Sequence, residues 1–420
     1  MSRDLFLLMH YFIIFFVLLS TSSLATAQQR QSSNISRGSS LTPTKTSSWL
    51  SSSGLYAFGF YQRGNGGYAV GIFLAGIPEK TVVWTARRDD PPVSANATLL
   101  FNTAEGRLVL QTAQSSQENT TYIADIAQTA SYASMLDTGN FVLYNSGEDI
   151  LWQSFKYPTD TLLPTQTLSA GMELFSSVSE TDQSTGIFRL KMQSDGNLVQ
   201  YPKDTPDTRP YAYWSSTTFG TGDKETLNLD VDGNLYLLNA TSFKFKNLTS
   251  EVYKTRGTIV MMRIDSDGLL RLYSHKVGNS SRWSVVWNST SDRCDPMGLC
   301  GLNSFCISND LAPGCRCLPG FASVNQDNRT SGCERNFTAE SCKNQTLPED
   351  QVILENWVYQ CFEGGDLSQL AGIEEVEPKQ LERTIKVAHW CILDEPSLRP
   401  SMKKVLLMLE GTVDIPTVEY

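Results

Sequence analysis

Five copies of one short pattern constrain this chain more than any other feature. They read FNTAEGRLVLQ from Phe101, MLDTGNFVLY from Met135, MQSDGNLVQY from Met192, LDVDGNLYLL from Leu229 and IDSDGLLRLY from Ile264. Each sets β-prone residues on either side of a polar cluster that ends in glycine, the pattern of two strands joined by a tight turn. The glycines fall at 106, 139, 196, 233 and 268, in steps of 33, 57, 37 and 35. Spacing of this order marks a small supersecondary unit used repeatedly. The single long step separates two tandem units. Around the copies lie short β-prone runs, Leu55 to Tyr61, Tyr68 to Leu74, Thr81 to Thr85, Leu99 to Phe101 and Leu108 to Gln111, broken by Gly, Asn, Asp and Pro. From Gln28 to about Tyr157 the composition is all-β, and the repeat runs on beyond it.

At 420 residues the chain has room for two to four domains. Its net charge of −10 is uneven: from Pro348 to Tyr420 there are fourteen Asp or Glu against six Lys or Arg. The rest is near neutral, so no nucleic-acid partner is expected. Arg3, a largely apolar run from Leu5 to Leu19 and Ala25-Thr26-Ala27 together read as a secretory signal over 1–27, with Gln28 as the new N-terminus. An uncleaved signal anchor at the plasma membrane is the alternative. Ten sequons for N-glycosylation, at Asn34, Asn96, Asn119, Asn239, Asn247, Asn279, Asn288, Asn328, Asn336 and Asn344, agree with a secreted, extracellular glycoprotein. None follows residue 347, which suggests that the two parts have different histories.

The copy at Met192 carries chemistry that the others lack. Gln193, Asp195, Asn197, Val199 and Tyr201 stand two apart, so in extended chain they project from one side. Amide, carboxylate and phenol groups round one apolar side chain suit a sugar, whose hydroxyls both donate and accept and whose ring has an apolar face. Asp195-Gly196 is equally a hairpin signal, so the same letters also fit a purely architectural turn. Both readings stand.

These five positions match the mannose-binding motif of the bulb-type lectins, found in monocot storage lectins and in plant receptor-like kinases. The resemblance implies that Gln193, Asp195, Asn197 and Tyr201 hold hydroxyls while Val199 packs on the ring. It also implies two tandem β-prisms, each of three small antiparallel sheets that must close on one another because a lone sheet leaves an apolar face exposed. Trp152-Gln153-Ser154-Phe155 with Pro158 to Pro164 resembles the WQSF…PTDTLLP junction of plant S-domain receptors, and Val82 to Ala86 before Arg88 resembles their VVWTANR strand, with Arg87 in place of Asn. Trp84 and Trp152 read as buried anchors rather than sugar-stacking faces. Only the Met192 copy keeps the whole motif. At Met135, Leu136 and Thr138 replace Gln and Asp; at Leu229, Asp230, Tyr236 and Leu238 replace Gln, Val and Tyr; at Ile264, Leu269 replaces Asn; at Phe101, Glu105 and Arg107 replace Asp and Asn. One intact site would need oligomerisation or a clustered glycan for avidity.

Six cysteines, Cys294, Cys300, Cys306, Cys315, Cys317 and Cys333, read as a disulfide framework that spacing alone leaves open to fifteen pairings. Zinc is the competing use; the absence of histidine there speaks against it, and no metal is expected. Cys315-x-Cys317 with Pro319-Gly320-Phe321 resembles the epidermal-growth-factor-like (EGF-like) module. That resemblance implies Cys294 with Cys306, Cys300 with Cys315 and Cys317 with Cys333. Arg335 to Gln345 starts like a PAN module, with Cys342 as its first cysteine.

From Gln351 helical periodicity takes over: Pro378 opens a run with Leu381, Ile385, Ala388 and Ile392 on one face, and Ser401 precedes Met402, Val405, Leu406 and Leu409. Val387 to Gly411 resembles the last subdomain of plant receptor-like kinases, where the residue matching Arg399 pairs with an Ala-Pro-Glu segment that is absent here. The three histidines, His10, His275 and His389, leave no HRD loop, and DFG and the glycine-rich lid are missing too. No catalytic residue, metal or cofactor is therefore expected. The expected layout is signal peptide 1–27, bulb-type lectin domain 28–157, a second lectin-like S-domain unit 158–291, EGF-like module 292–334, PAN-like remnant 335–347 and a non-catalytic kinase fragment 348–420. The expected function is recognition of extracellular glycan or glycoprotein in plant defence or signalling, with possible dimerisation with full-length receptor kinases. The alternative is a G-type lectin receptor serine/threonine kinase of which this is a truncated product, its membrane segment missing.

Overall fold

Alternation of apolar and polar residues makes each repeat an antiparallel hairpin, and the hairpins gather in threes. The computed structural model describes residues 34–335 apart from 65, 115–116, 250–256, 279–281, 309–312, 319–320 and 326–328, and then 358, 364–365, 377–392, 400 and 402–415. The signal stretch, Asn279, Asn328, Asn336, Asn344, Cys342, Cys361, Arg399 and the PAN-like text after Arg335 lie outside the described residues. Contacts divide the chain into two bodies, Met1–Glu334 and Arg335–Tyr420.

In the first body, strands Asn34–Ser36, Ser40–Leu41 and Ser48–Leu50 each start a different four-stranded sheet. The chain then completes the three sheets in reverse order. Tyr56–Arg63, Gly67–Leu74 and Thr81–Thr85 finish the last; Thr98–Phe101, Leu108–Gln114 and Gln117–Tyr122 finish the middle one; Tyr132–Met135, Phe141–Tyr144 and Ile150–Gln153 finish the first. The same nesting recurs. Thr161–Leu162, Thr167–Ser169 and Glu173–Ser177 open three more sheets. Thr185–Met192, Leu198–Pro202 and Trp214–Ser215 complete the third, Thr226–Leu229, Leu235–Leu238 and Lys244–Asn247 the second, and Thr258–Ile264, Leu270–Lys276 and Ser284–Asn288 the first. The long step between Gly139 and Gly196 is the passage from one triplet of sheets to the next. A sixth hairpin, Tyr56–Arg63 with Gly67–Leu74, escaped the repeat because its tip is the glycine-rich Gly64 to Gly67.

Each triplet has a core, and the first core also takes in Leu163, Ile259 and Met261 from the second triplet. In the first, Phe58, Phe101 and Phe141 come from three different sheets and are fully buried, Phe58 stacking on Phe141 at 3.8 Å. The second is mainly aliphatic round the buried Phe188, with Leu174, Leu190 and Leu198 meeting Leu168, Leu227 and Leu235 and the Ile264 and Leu272 pair. Each such side chain contributes about 1.5–3 kcal/mol by leaving water, which is how these cysteine-free triplets are held. After them, Cys294–Cys306, Cys300–Cys315 and Cys317–Cys333 form three disulfides around the paired strands Ser304–Ser308 and Pro313–Cys317.

The second body contains helices α1 (Pro378–Ile392) and α2 (Met402–Glu410). Their buried faces differ from the expected stripes. On α1, Ile385, Val387 and His389 are buried while Ala388 and Ile392 are exposed; on α2, Val405 and Met408 are buried while Leu406 and Leu409 are exposed. Val387, Val405 and Met408 pack together. A helix pair has one mutual seam, so the remaining apolar residues stay uncovered. No helix among the described residues is long and apolar enough to cross a membrane.

Candidate functional site: the hairpin at Gln193 to Tyr201

Strands Thr185–Met192 and Leu198–Pro202 pair with Met192 opposite Leu198, Lys191 opposite Val199 and Arg189 opposite Tyr201. The loop between them closes with the Gln193 amide donating to the Asn197 carbonyl at 2.9 Å and the Gly196 amide to the Gln193 carbonyl at 3.2 Å. Gly196 has φ +85°, and a Cβ there would lie 2.1 Å from Thr221 Oγ1. Glycine is required twice over, by backbone conformation and by space. The loops at Leu136, Asp230 and Asp265 close with the same two bonds. Four of the five copies are thus the sequence of one turn, and the copy at Phe101 closes a loop one residue longer, with the Asn102 amide donating to the Arg107 carbonyl and the Gly106 amide to the Asn102 carbonyl.

The turn also uses the motif's polar groups. Asp195 Oδ1 accepts from the Asn197 amide at 3.0 Å, as Asp267 Oδ1 does from Leu269. Asn197 Oδ1 accepts from Ser216 Oγ and from the Thr218 amide, both at 3.1 Å. Asn140, in a copy that has lost the motif, makes the matching bonds to Ser154 Oγ and the Phe155 amide, both 3.2 Å. A hydroxyl that sequence reading missed completes the lock. In four of the copies the amide after the turn donates to Ser216, Ser154, Thr249 or Ser289, just past the last strand of its sheet. These residues lie 13 to 19 positions downstream, too far for a local pattern to reveal.

Gln193 Nε2 donates to the Tyr201 hydroxyl at 3.0 Å. Asp265 and Tyr273 pair at the same two places in their copy, at 2.6 Å. Asp195 Oδ2 and Asn197 Nδ2, an acceptor beside a donor, have no partner among the described residues. Further along, Val199 is 1% and Tyr201 2% exposed. Residues opposite each other across a pair share a face, so Arg189 and Lys191 flank them. The Arg189 guanidinium lies 4.7 Å from the Tyr201 ring centroid and reaches Glu173 and Asp207 at 2.7 Å each and the Thr205 carbonyl at 2.7 Å. Lys191 joins Asp207 at 2.7 Å and Glu173 at 3.3 Å. The segment after Pro202 is thereby clamped beside the motif's apolar end. Hydrogen bonding to Asp207 raises the Lys191 ammonium above its ordinary range. Burial alone would raise the Asp207 carboxyl, but hydrogen bonds from Lys191 and Arg189 outweigh it and hold it low.

Arg87 and Arg88 explain the other resembling strand. Arg87 has φ +45°, a conformation that Asn enters more readily than most residues, which accounts for Asn at this place in the resembled strand. The half-buried Arg88 guanidinium donates to the carbonyls of Gln183, Phe175, Ser176 and Ser184 at 2.7–3.1 Å, tying the first triplet to the second. Trp84 and Trp152 are 8% and 6% exposed, as anchors should be. Of the described sequon asparagines, Asn34, Asn96, Asn247 and Asn288 are exposed and Asn239 half-buried.

Comparison with known proteins gives two family matches, a D-mannose binding lectin domain over residues 81–176 and an S-locus glycoprotein domain over 212–325. The chain is 33% identical over 336 residues to the G-type lectin S-receptor-like serine/threonine-protein kinase LECRK3 of Oryza sativa subsp. indica, covering 74% of this chain and 40% of that one. It is 30% identical over 415 residues to LECRK2 of Oryza sativa subsp. japonica, covering 91% and 49%. It thus spans less than half the length of these relatives. Solved structures it resembles include the monomeric monocot mannose-binding lectins of Gastrodia elata, at 22% identity, 32% of this chain, 98% of that one and TM-score 0.24. Another is the snowdrop (Galanthus nivalis) mannose-specific agglutinin complexed with methyl-α-D-mannoside, at 24% identity, 30% of this chain, 94% of that one and TM-score 0.22.

Proposed function

The chain belongs with the G-type lectin S-receptor-like proteins, carrying a D-mannose binding lectin domain and an S-locus glycoprotein domain, and from this we propose that it is a secreted recognition module for extracellular mannose-type glycans or glycoproteins. The observation behind the site assignment is the unpartnered Asp195 Oδ2 and Asn197 Nδ2 beside Gln193. They offer an acceptor and a donor at one exposed turn, which is what vicinal hydroxyls need. Retention of the secreted chain on a high-mannose glycan resin tests it. Gln193→Ala with Asp195→Ala is expected to abolish retention while the chain stays folded by circular dichroism, although the bonds to the Asn197 amide and the Tyr201 hydroxyl are lost with them; retention by the double variant removes the hairpin from sugar binding.

The architectural reading of the hairpin has its own support, since Asn140 makes the bonds of Asn197 in a copy without the motif. Asn197→Ala is therefore a poor probe of binding, because it also removes a lock on the fold. Phosphate transfer is an activity of the relatives, which are named serine/threonine-protein kinases. We assign this chain no part in it, because the HRD, DFG and glycine-rich elements are missing from its sequence. Incubation of the purified chain with labelled ATP is expected to give no transfer. Pairing with itself or with full-length receptor kinases would supply the avidity that one site lacks.

A further inference from the structure

A second place on the chain offers sugar-like complementarity, and it shares no residue with the hairpin. Where the strand Thr81–Thr85 ends, a cleft of about 560 Å³ opens on the first triplet of sheets, within the ~300–1,000 Å³ of ordinary ligand sites. Trp84 and Trp152 form its floor, edge to face at 6.0 Å and 69°. Trp84 Nε1 donates to the Tyr157 carbonyl at 2.6 Å, fixing the segment that carries Tyr157. The Tyr157 ring stacks on Trp152 at 5.6 Å and 12°. Yet Tyr157 remains 56% exposed. One face of a flat aromatic ring is thus held rigid by a buried indole while the other is left to solvent. An aromatic surface immobilised in advance loses little entropy on binding.

The charged groups of the cleft are not equally available. Arg87 is paired with Asp90. Arg88 is bound to the four carbonyls described above, and Asp89 takes the Thr185 amide and hydroxyl at 2.8 Å each. Asp125 is exposed and has no hydrogen-bond or ion-pair partner among the described residues. The free groups are therefore one carboxylate, one phenol hydroxyl and one aromatic face, with no unpaired cation to hold an anionic ligand. A carboxylate accepts from two adjacent hydroxyls, the phenol donates to another oxygen, and an apolar C–H face lies on the ring.

We propose that this cleft is a binding site for a neutral saccharide, seated on Tyr157 and hydrogen-bonded to Asp125. The site extends the lectin reading to a place that the hairpin does not use, so the two stand or fall separately. The test is titration of the secreted chain with a panel of neutral disaccharides, with a sialylated trisaccharide and spermidine as anionic and cationic controls. Binding is read by calorimetry and by the fluorescence of the tryptophans. A neutral disaccharide is expected to bind and perturb the emission. Tyr157→Ala and Asp125→Asn should each weaken it about tenfold, while Tyr157→Phe retains most affinity. Binding that survives Tyr157→Ala but is lost in Gln193→Ala assigns the sugar to the hairpin and overturns the proposal. Failure of every neutral disaccharide, or binding of spermidine alone, overturns it as well.

Discussion

A single glycine shows how the repeat is enforced. Gly196 combines φ +85° with a Cβ position 2.1 Å from Thr221 Oγ1. Gly196→Ala is expected to cost about 2–4 kcal/mol, the left-handed penalty plus a clash that the loop relieves only partly. Urea unfolding of the two proteins measures it, and a loss under about 1 kcal/mol would contradict the double constraint. The asparagine that follows tests the lock. Asn140→Ala and Asn197→Ala each remove two or more bonds from the joint between the turn and the segment that follows the sheet's last strand, so each should destabilise by about 1–3 kcal/mol. If Asn197→Ala proves neutral while Asn140→Ala is costly, Asn197 is held for a ligand rather than for the fold.

At the scale of the hairpin, the outward face is closed by charge. Asp207 is depressed below its ordinary 3.8, so its stabilisation is complete above that value and is lost as pH falls through the lower folded value. Lys191 is raised above its ordinary 10.5, so its share is complete below that value and lost only as pH rises past the folded one. The clamp is therefore intact through the neutral range and opens in acid. Hydrogen exchange at Lys203 to Ala212 should accelerate as pH drops below 3.8, after correction for the intrinsic rate, and Asp207→Asn should show that faster opening already at neutral pH. Acid-insensitive protection of the wild-type segment would mean that packing, not the ion pairs, holds it. The helices give the opposite lesson. Ile392, Leu406 and Leu409 on α1 and α2 are 41–56% exposed, because a two-helix seam covers less than the sequence periodicity offers.

Across the first body, Arg88 is one strut between the two triplets of sheets, beside the Arg63–Asp182 pair and the packing of Ile259 and Met261 in the first core. A lysine ammonium cannot reproduce a fork spread over four carbonyls. Arg88→Lys should cost about 2–4 kcal/mol, since buried acceptors lose a charged donor, and split one thermal transition into two. A single unshifted transition would place the coupling elsewhere. The module from Cys294 to Cys333 depends on covalent closure. Its three bridges span 12, 15 and 16 residues, and a loop of that length contributes about 3 kcal/mol. Mild reduction should therefore admit protease between Cys294 and Cys333 while both cysteine-free triplets resist. Simultaneous loss of the triplets would show that they lean on the module.

What the sequence determined alone is local and periodic. The turn chemistry of Asp195-Gly196-Asn197 and its copies, the two-residue alternation and the long step from Gly139 to Gly196 are each visible within a short window, because they reflect the backbone's own preferences. The hydroxyls of Ser154, Ser216, Thr249 and Ser289, the span of Arg88 and the stacking of Tyr157 on Trp152 were not legible there. Each joins residues whose proximity exists only after the sheets close. The availability of the motif belongs to the same class: five residues at intervals of two fix one face, but whether that face is open depends on Arg189, Glu173 and Asp207. Side-chain direction follows from chain geometry. Exposure follows from what else folds against it.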